Sequence, residues 1–153
     1  MTAPEAESLR VQPTPRRRPE WRGQAPVVAV VAVGGALGAV ARYALALALP
    51  TAAWGFPWAT FWTNVIGCAV IGAFLVLITE GLSAHRLLRP FFGTGVLGGF
   101  TTFSTYAVDI QKLADHGRPA VALAYLAATL GAALTAVWCA ATVTRRVLTR
   151  RQR

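Results

Sequence analysis

Hydroxyls and a single amide recur at helical spacing through otherwise apolar stretches of this chain. Thr60 and Asn64 are four residues apart, as are Tyr125 and Thr129, so each pair shares one helix face. Thr101, Thr102, Ser104 and Thr105 place four hydroxyls in five residues, interrupted only by Phe103. Such groups donate hydrogen bonds without bringing a fixed charge. They can therefore replace the water around a small anion and still release it. Phe103 and Tyr106, three residues apart, also share a face, and the positive edge of an aromatic ring can turn toward an anion. Simpler roles are open to the same residues: hydroxyls and amides bond neighbouring helices, and aromatic pairs pack. The apolar stretches hold no paired carboxylates, no His/Cys cluster and no nucleophile with a partner base, so no catalytic site is expected.

The elements that must position these groups are set by composition. Of 153 residues, 55% are hydrophobic and 14% charged, with mean hydropathy +0.49, too little polar surface to cover a soluble core. Residues 43–79, 90–108 and 119–144 carry no charge, and about 20 apolar residues suffice to cross the ~30 Å hydrocarbon layer. The expected fold is all-α and integral to the membrane, with four transmembrane helices. The first runs from Pro26 to Leu49, with Gly34 and Gly38 in GxxxG spacing for close helix contact. The second runs from Trp58 to Thr79, with Trp54, Trp58 and Trp62 suited to an interfacial belt. A polar loop from Glu80 to Arg89, containing His85, leads to a third helix beginning near Pro90. There Gly93, Gly95, Gly98 and Gly99 precede the hydroxyl cluster, and this composition predicts a discontinuous helix. Carbonyls freed by such a break must meet protein, water or an ion, since lipid offers no donor. The fourth helix runs from Pro119 to Thr142. Cys68 and Cys139 lie in apolar runs without metal-ligand spacing and read as small packing residues.

By this reading residues 1–24 form a disordered basic tail, 25–143 the four-helix transmembrane domain, and 144–153 a basic C-terminal tail. The net charge of +9 does not point to nucleic acid, because its arginines flank the apolar runs. Arg10, Arg16, Arg17, Arg18 and Arg22 precede the first span, and Arg145, Arg146, Arg150, Arg151 and Arg153 follow the last. With four spans, both tails share one side with Arg86 and Arg89, which gathers twelve of the 15 Lys and Arg there. Only Lys112 and Arg118 lie opposite, with Arg42 read as buried near the end of the first helix. The positive-inside rule then puts both termini in the cytoplasm and the chain in the cell membrane in one orientation.

Three strings carry a resemblance: GGALGAVARY (34–43), WATFWTNVIGCAVIG (58–72) and GTGVLGGFTTFSTYAVD (93–109). In order and spacing they resemble the motif regions of the Fluc/CrcB family, and AYLAAT (124–129) fits its fourth helix. The likeness covers residues 26–142. It implies a passive fluoride channel that exports the ion and lowers its toxicity, built as an antiparallel dimer with two pores. It also implies a central sodium ion, structural and not transported, held by backbone carbonyls matching Gly98 and Thr101. The matched pore positions are Thr60, Asn64, Phe103, Tyr106, Tyr125 and Thr129, with Ser104 and Thr105 beside them in the hydroxyl cluster. Arg42 matches an arginine near the end of the first helix, where it can hold positive potential at a vestibule or snorkel to the interface.

This sequence departs from the family pattern twice. Tyr106 stands where the family usually has phenylalanine, and its hydroxyl can bond the ion, narrow the pore or point elsewhere. The lopsided charge is the second departure, because an antiparallel homodimer needs a nearly balanced bias. The expectation is a heterodimer with a paralogous subunit of opposite bias, set against a homodimer that inserts both ways. Two other functions compete. A small proton-coupled exporter needs a membrane carboxylate, for which Glu80 and Asp109 are nearest, both read as helix-end residues. A non-transporting structural subunit is the other, and the expected break in the third helix argues against it.

Overall fold

The computed structural model describes residues 21–81 and 86–151, and among these no strand occurs. Helix α1 spans Trp21–Ala48, and α2 spans Trp58–Val76 before a wide π-helical turn, Leu77–Gly81. Helix α3 covers residues 89–100, wound as a π-helix over Arg89–Leu97 and as an α-helix over Gly98–Phe100. Helix α4 is Ser104–Asp115 and α5 is Pro119–Arg151. Three stretches are long and apolar enough to cross a membrane: Gln24–Ala48, Trp58–Glu80 and Pro119–Arg150. Among the described residues the only regular elements are helices, and their length and apolarity make this a membrane protein. Neither α3 nor α4 is long enough alone, since twelve residues rise only about 18 Å.

Several boundaries differ from the sequence reading. Helix α1 begins at Trp21, within the segment expected to be tail, while residues 1–20 lie outside the described residues. Pro26 removes one amide from the α1 ladder without ending the helix. At the other end α5 continues to Arg151 and does not stop at Thr142. Residues 142–151 contain neither Gly nor Pro, so nothing there terminates a helix. Arg145 also ties α5 to the end of α2, its Nη2 lying 2.8 Å from Glu80 Oε1. His85, expected in the loop, falls outside the described residues.

The glycines of α3 do not break it. They let α3 lie directly on α1. A Cβ placed on Gly95 would stand 2.9 Å from Val31 O and 3.0 Å from Gly34 Cα. One on Gly38 would overlap the Val96 carbonyl, and one on Gly99 would overlap Gly35. The pairs Gly34/Gly38 and Gly95/Gly99 are thus two GxxxG rows in mutual contact. Each glycine weakens its helix by about 1 kcal/mol relative to alanine, and the close backbone contact offsets that cost. Helix α2 meets α5 in the same way, with Gly72 against Val137.

Little of this surface is covered by the chain itself. Only 11%, 28% and 17% of the apolar windows of α1, α2 and α5 are buried, so lipid or another subunit must cover the rest. A compact aromatic cluster closes one end, where Leu113, Ala122 and Tyr125 are buried beneath Phe56, Phe61 and Tyr106.

A methyl group tests the α1–α3 contact. Gly38→Ala should destabilise the detergent-solubilised protein by about 1–3 kcal/mol through overpacking. Gly131→Ala, whose Cβ would meet nothing within 4 Å, should leave melting unchanged or raise it. Equal melting of the two variants would contradict this packing.

Candidate functional site

The site forms where the main-chain ladder stops. Thr101 N–H donates to Leu97 C=O at 2.9 Å, and the ladder resumes when Ala107 N–H donates to Phe103 C=O at 2.9 Å. Thr101 is extended, with φ −73° and ψ 157°, so the chain turns out of helical register. Asn64 on α2 bridges the gap with both ends of its amide. Its Nδ2 donates to Thr102 C=O, and its Oδ1 accepts from Thr102 N–H, each at 2.9 Å. Thr102 Oγ1 then accepts from Thr105 N–H at 3.1 Å and donates to Thr105 Oγ1 at 3.0 Å, capping the start of α4. Ser104 Oγ lies 3.3 Å from the same hydroxyl. Thr101 Oγ1 donates back to Leu97 C=O at 2.9 Å. Gly67 on α2 leaves room for the Thr101 methyl and the Phe100 ring. The carbonyls from Gly98 to Thr101 stand outside the ladder, and space beside Gly98 is open.

Two clefts meet at this break, and Thr102 lines both. One, of about 330 Å³, runs from Arg42 and Tyr43 on α1 to Thr60, Thr63, Thr102 and Thr105. No ion pair joins Arg42 among the described residues, so its charge faces that cleft uncompensated. The other, of about 240 Å³, is walled by Asn64, Phe103, Tyr106, Thr129 and Leu130. The Phe103 ring is 80% exposed, with its centroid 5.8 Å from that of Tyr106. Thr129 is buried, yet its Oγ1 finds no hydrogen-bond partner. A polar atom without a partner in this setting can receive or donate to a ligand.

Not every sequence-derived position lies on the Phe103 cleft. Tyr125 is fully buried between Phe56 and Tyr106, each ring centroid 5.2 Å away. Its hydroxyl lies near Thr60 and Asp109 but makes no hydrogen bond of ordinary geometry with either. Thr60 Oγ1 donates to Asp109 Oδ2 at 2.8 Å, and both line a smaller cleft of about 170 Å³ beside Lys112. Thr60 therefore serves the Arg42 side, and Asn64, one turn on, serves the Phe103 side. Ser104 and Thr105 are exposed at the head of α4.

The placement of Asp109 corrects the sequence reading. It is an interior residue of α4, half-buried and bonded to α2, where a helix end had been expected. A signal was available: Asp109 follows Thr105 by four residues and Tyr106 by three, on their helix face. Thr63, buried and lining the Arg42 cleft, was also missed, one residue from the Thr60/Asn64 pair. The Tyr106 hydroxyl donates to Leu126 C=O on α5 at 2.8 Å, while its ring lines the Phe103 cleft.

Two tyrosines should thus respond oppositely to loss of a hydroxyl. Tyr106→Phe loses a made hydrogen bond and should destabilise by about 0.5–1.5 kcal/mol. Tyr125→Phe removes an unpartnered buried hydroxyl and should leave melting unchanged or raise it. Thermal melting of both in one detergent checks the contrast, and the reverse order would contradict these assignments.

The family described as CrcB-like protein, Camphor Resistance (CrcB), matches residues 29–141. The chain is 67% identical over 158 residues to a Streptomyces avermitilis protein named fluoride-specific ion channel FluC 2, covering all of both chains. It is 68% identical over 135 residues to fluoride-specific ion channel FluC 1 of Streptomyces coelicolor, covering 88% of each. A second S. avermitilis protein, fluoride-specific ion channel FluC 3, is 44% identical over 127 residues, covering 83% of this chain and 62% of that one. With the match reaching from α1 through the break to α5, the chain belongs to the Fluc/CrcB family.

Proposed function

We propose that this chain is a subunit of a fluoride-selective channel in the cell membrane, with both termini cytoplasmic, releasing fluoride passively and lowering its toxicity. The observation that carries the reading is the buried, unpartnered Thr129 hydroxyl, on a cleft shared with Asn64, Phe103 and Tyr106. The names of the relatives point the same way.

Fluoride is small and tightly hydrated, so a pore must return the hydrogen bonds that water gives up. Arg42 raises the potential at one mouth, and Thr105 and Ser104 offer hydroxyls near the break, while Thr60 gives its proton to Asp109 and ties α4 to α2. On the other side the second Asn64 N–H, Thr129 Oγ1 and the edges of Phe103 and Tyr106 can take up the ion. Tyr125 holds the α5 face in place and is the least direct of these residues. None of these groups on the Phe103 cleft carries a fixed charge to trap the ion. A negative interior drives the anion outward by ~2.3 kcal/mol per 100 mV.

The exposed Phe103 ring is poorly suited to lie alone at a polar break, which supports a second subunit closing the pore in an antiparallel dimer. Oxygen donors suit a hard cation, and the carbonyls of Gly98 and Thr101 fit a structural sodium ion. Such an ion would supply positive charge that compensates carbonyls left out of the ladder. The charge bias favours a heterodimer with an oppositely biased paralogue, and S. avermitilis has two relatives numbered 2 and 3. A second reading, proton-coupled export, draws support from Asp109, a half-buried carboxylate within the bundle.

Purified protein in liposomes, with the candidate paralogue present and absent, separates these functions. Fluoride efflux should need no pH gradient and should exclude chloride. It should fall at least tenfold in Phe103→Ile and persist in Tyr106→Phe. Efflux that requires a proton gradient and vanishes in Asp109→Asn would select the exporter instead. Replacing sodium by a large organic cation should lower the melting temperature, and unchanged melting would remove the ion from the account. Cysteine labelling from each membrane face should report one orientation; equal labelling from both faces, with flux from the single chain, would sink the heterodimer.

A further inference from the structure

Helix α5 is longer than a membrane requires. Its 33 residues extend about 50 Å, against ~30 Å of hydrocarbon. Counting about 20 residues from Pro119 reaches the far interface near Trp138, which is 70% exposed and so suited to an interfacial belt. Beyond it the helix continues into the headgroup layer and past it, carrying Arg145, Arg146 and Arg150. The three do not have equal tasks. Arg145 is held by Glu80 through Nε at 2.9 and 3.1 Å and through Nη2 at 2.8 Å. Arg146 and Arg150 lie one turn apart, are exposed, and have no ion pair among the described residues. Asp109 and Asp115, the other described carboxylates, sit on α4, toward the opposite end of the bundle.

Along one face of α5, between these arginines, Thr142 and Thr149, runs a shallow, open groove of about 420 Å³. The Thr142 and Thr149 hydroxyls donate to Trp138 and Arg145 carbonyls at 2.8 Å, so the guanidiniums are the donors toward any ligand. Val143 and Val147 are exposed on the adjoining face.

We propose that this groove binds the phosphate of an anionic phospholipid headgroup, gripped by Arg146 and Arg150 while Arg145 and Glu80 fix the helix beneath it. Charge complementarity and depth both favour lipid as the occupant. A guanidinium offers a planar fork to phosphate oxygens, and helix side chains lean toward the N-terminus, here back toward the bilayer, which brings these long side chains down to the headgroup level. The inference rests on membrane insertion alone and is independent of which ion the protein conducts.

Native mass spectrometry of the full chain in neutral detergent tests it, titrating phosphatidylglycerol, phosphatidylcholine and inorganic phosphate. Phosphatidylglycerol should bind at least tenfold more tightly than phosphatidylcholine. The R146Q/R150Q double variant should weaken it by roughly thirtyfold, about fivefold for each basic residue lost. Arg146→Lys with Arg150→Lys should keep part of the preference, since the charge stays and the planar fork is lost, and Arg118→Gln should keep all of it. Equal binding of the two lipids, or an unaltered preference in R146Q/R150Q, would overturn the proposal. Displacement of the lipid by inorganic phosphate at equal concentration would also overturn it, assigning the groove to a free anion.

Discussion

A main-chain amide or carbonyl without a partner in hydrocarbon costs several kcal/mol, and residues 101–103 leave helical register between α3 and α4. The rest of the architecture depends on how that break is satisfied. Asn64 answers for both polar groups of Thr102, and Thr102 in turn caps α4. The two bonds fix the direction in which Phe103 and Tyr106 leave the chain, and so shape the cleft they share with Thr129. Asn64 was expected to face an ion. In the structure one of its N–H groups and its carbonyl oxygen are committed to the backbone, which leaves one N–H for any ligand.

Helix existence was legible in the sequence because uncharged runs of about 20 residues have one stable arrangement in lipid. Gly34 and Gly38 were read as a contact surface, and that contact is with α3. Their counterparts Gly95 and Gly99 were read as helix breakers. Propensity alone argues that way, but backbone apposition reverses it, and only three-dimensional pairing tells which effect wins. The extension of α5 to Arg151 was hidden for a similar reason: charge was taken as the end of structure, although arginine is a good helix former.

At the site, pairs on one helix were easier to read than partnerships between helices. The Thr60/Asn64 and Tyr125/Thr129 spacings were visible, yet each pair splits between different surroundings. Thr60 goes to Asp109 and Asn64 to Thr102, while Tyr125 turns to the aromatic cluster and Thr129 to the cleft. A shared face spans more than one cleft when a break in a neighbouring helix comes between. Asp109 was underestimated because its segment was taken as the end of a span. In the folded chain α4 starts afresh at Ser104 and carries Asp109 inward.

The central claim is that Asn64 holds the break in shape, beyond offering a donor to an ion. Amide hydrogen exchange at Thr102, measured with fluoride flux in wild-type protein and Asn64→Ala, tests it most directly. The Thr102 amide should be protected in the wild type. In the variant its exchange should quicken by at least tenfold, together with loss of flux, while amides of α1 keep their protection. Loss of flux with the Thr102 amide still protected would contradict the claim and leave Asn64 as a ligand alone.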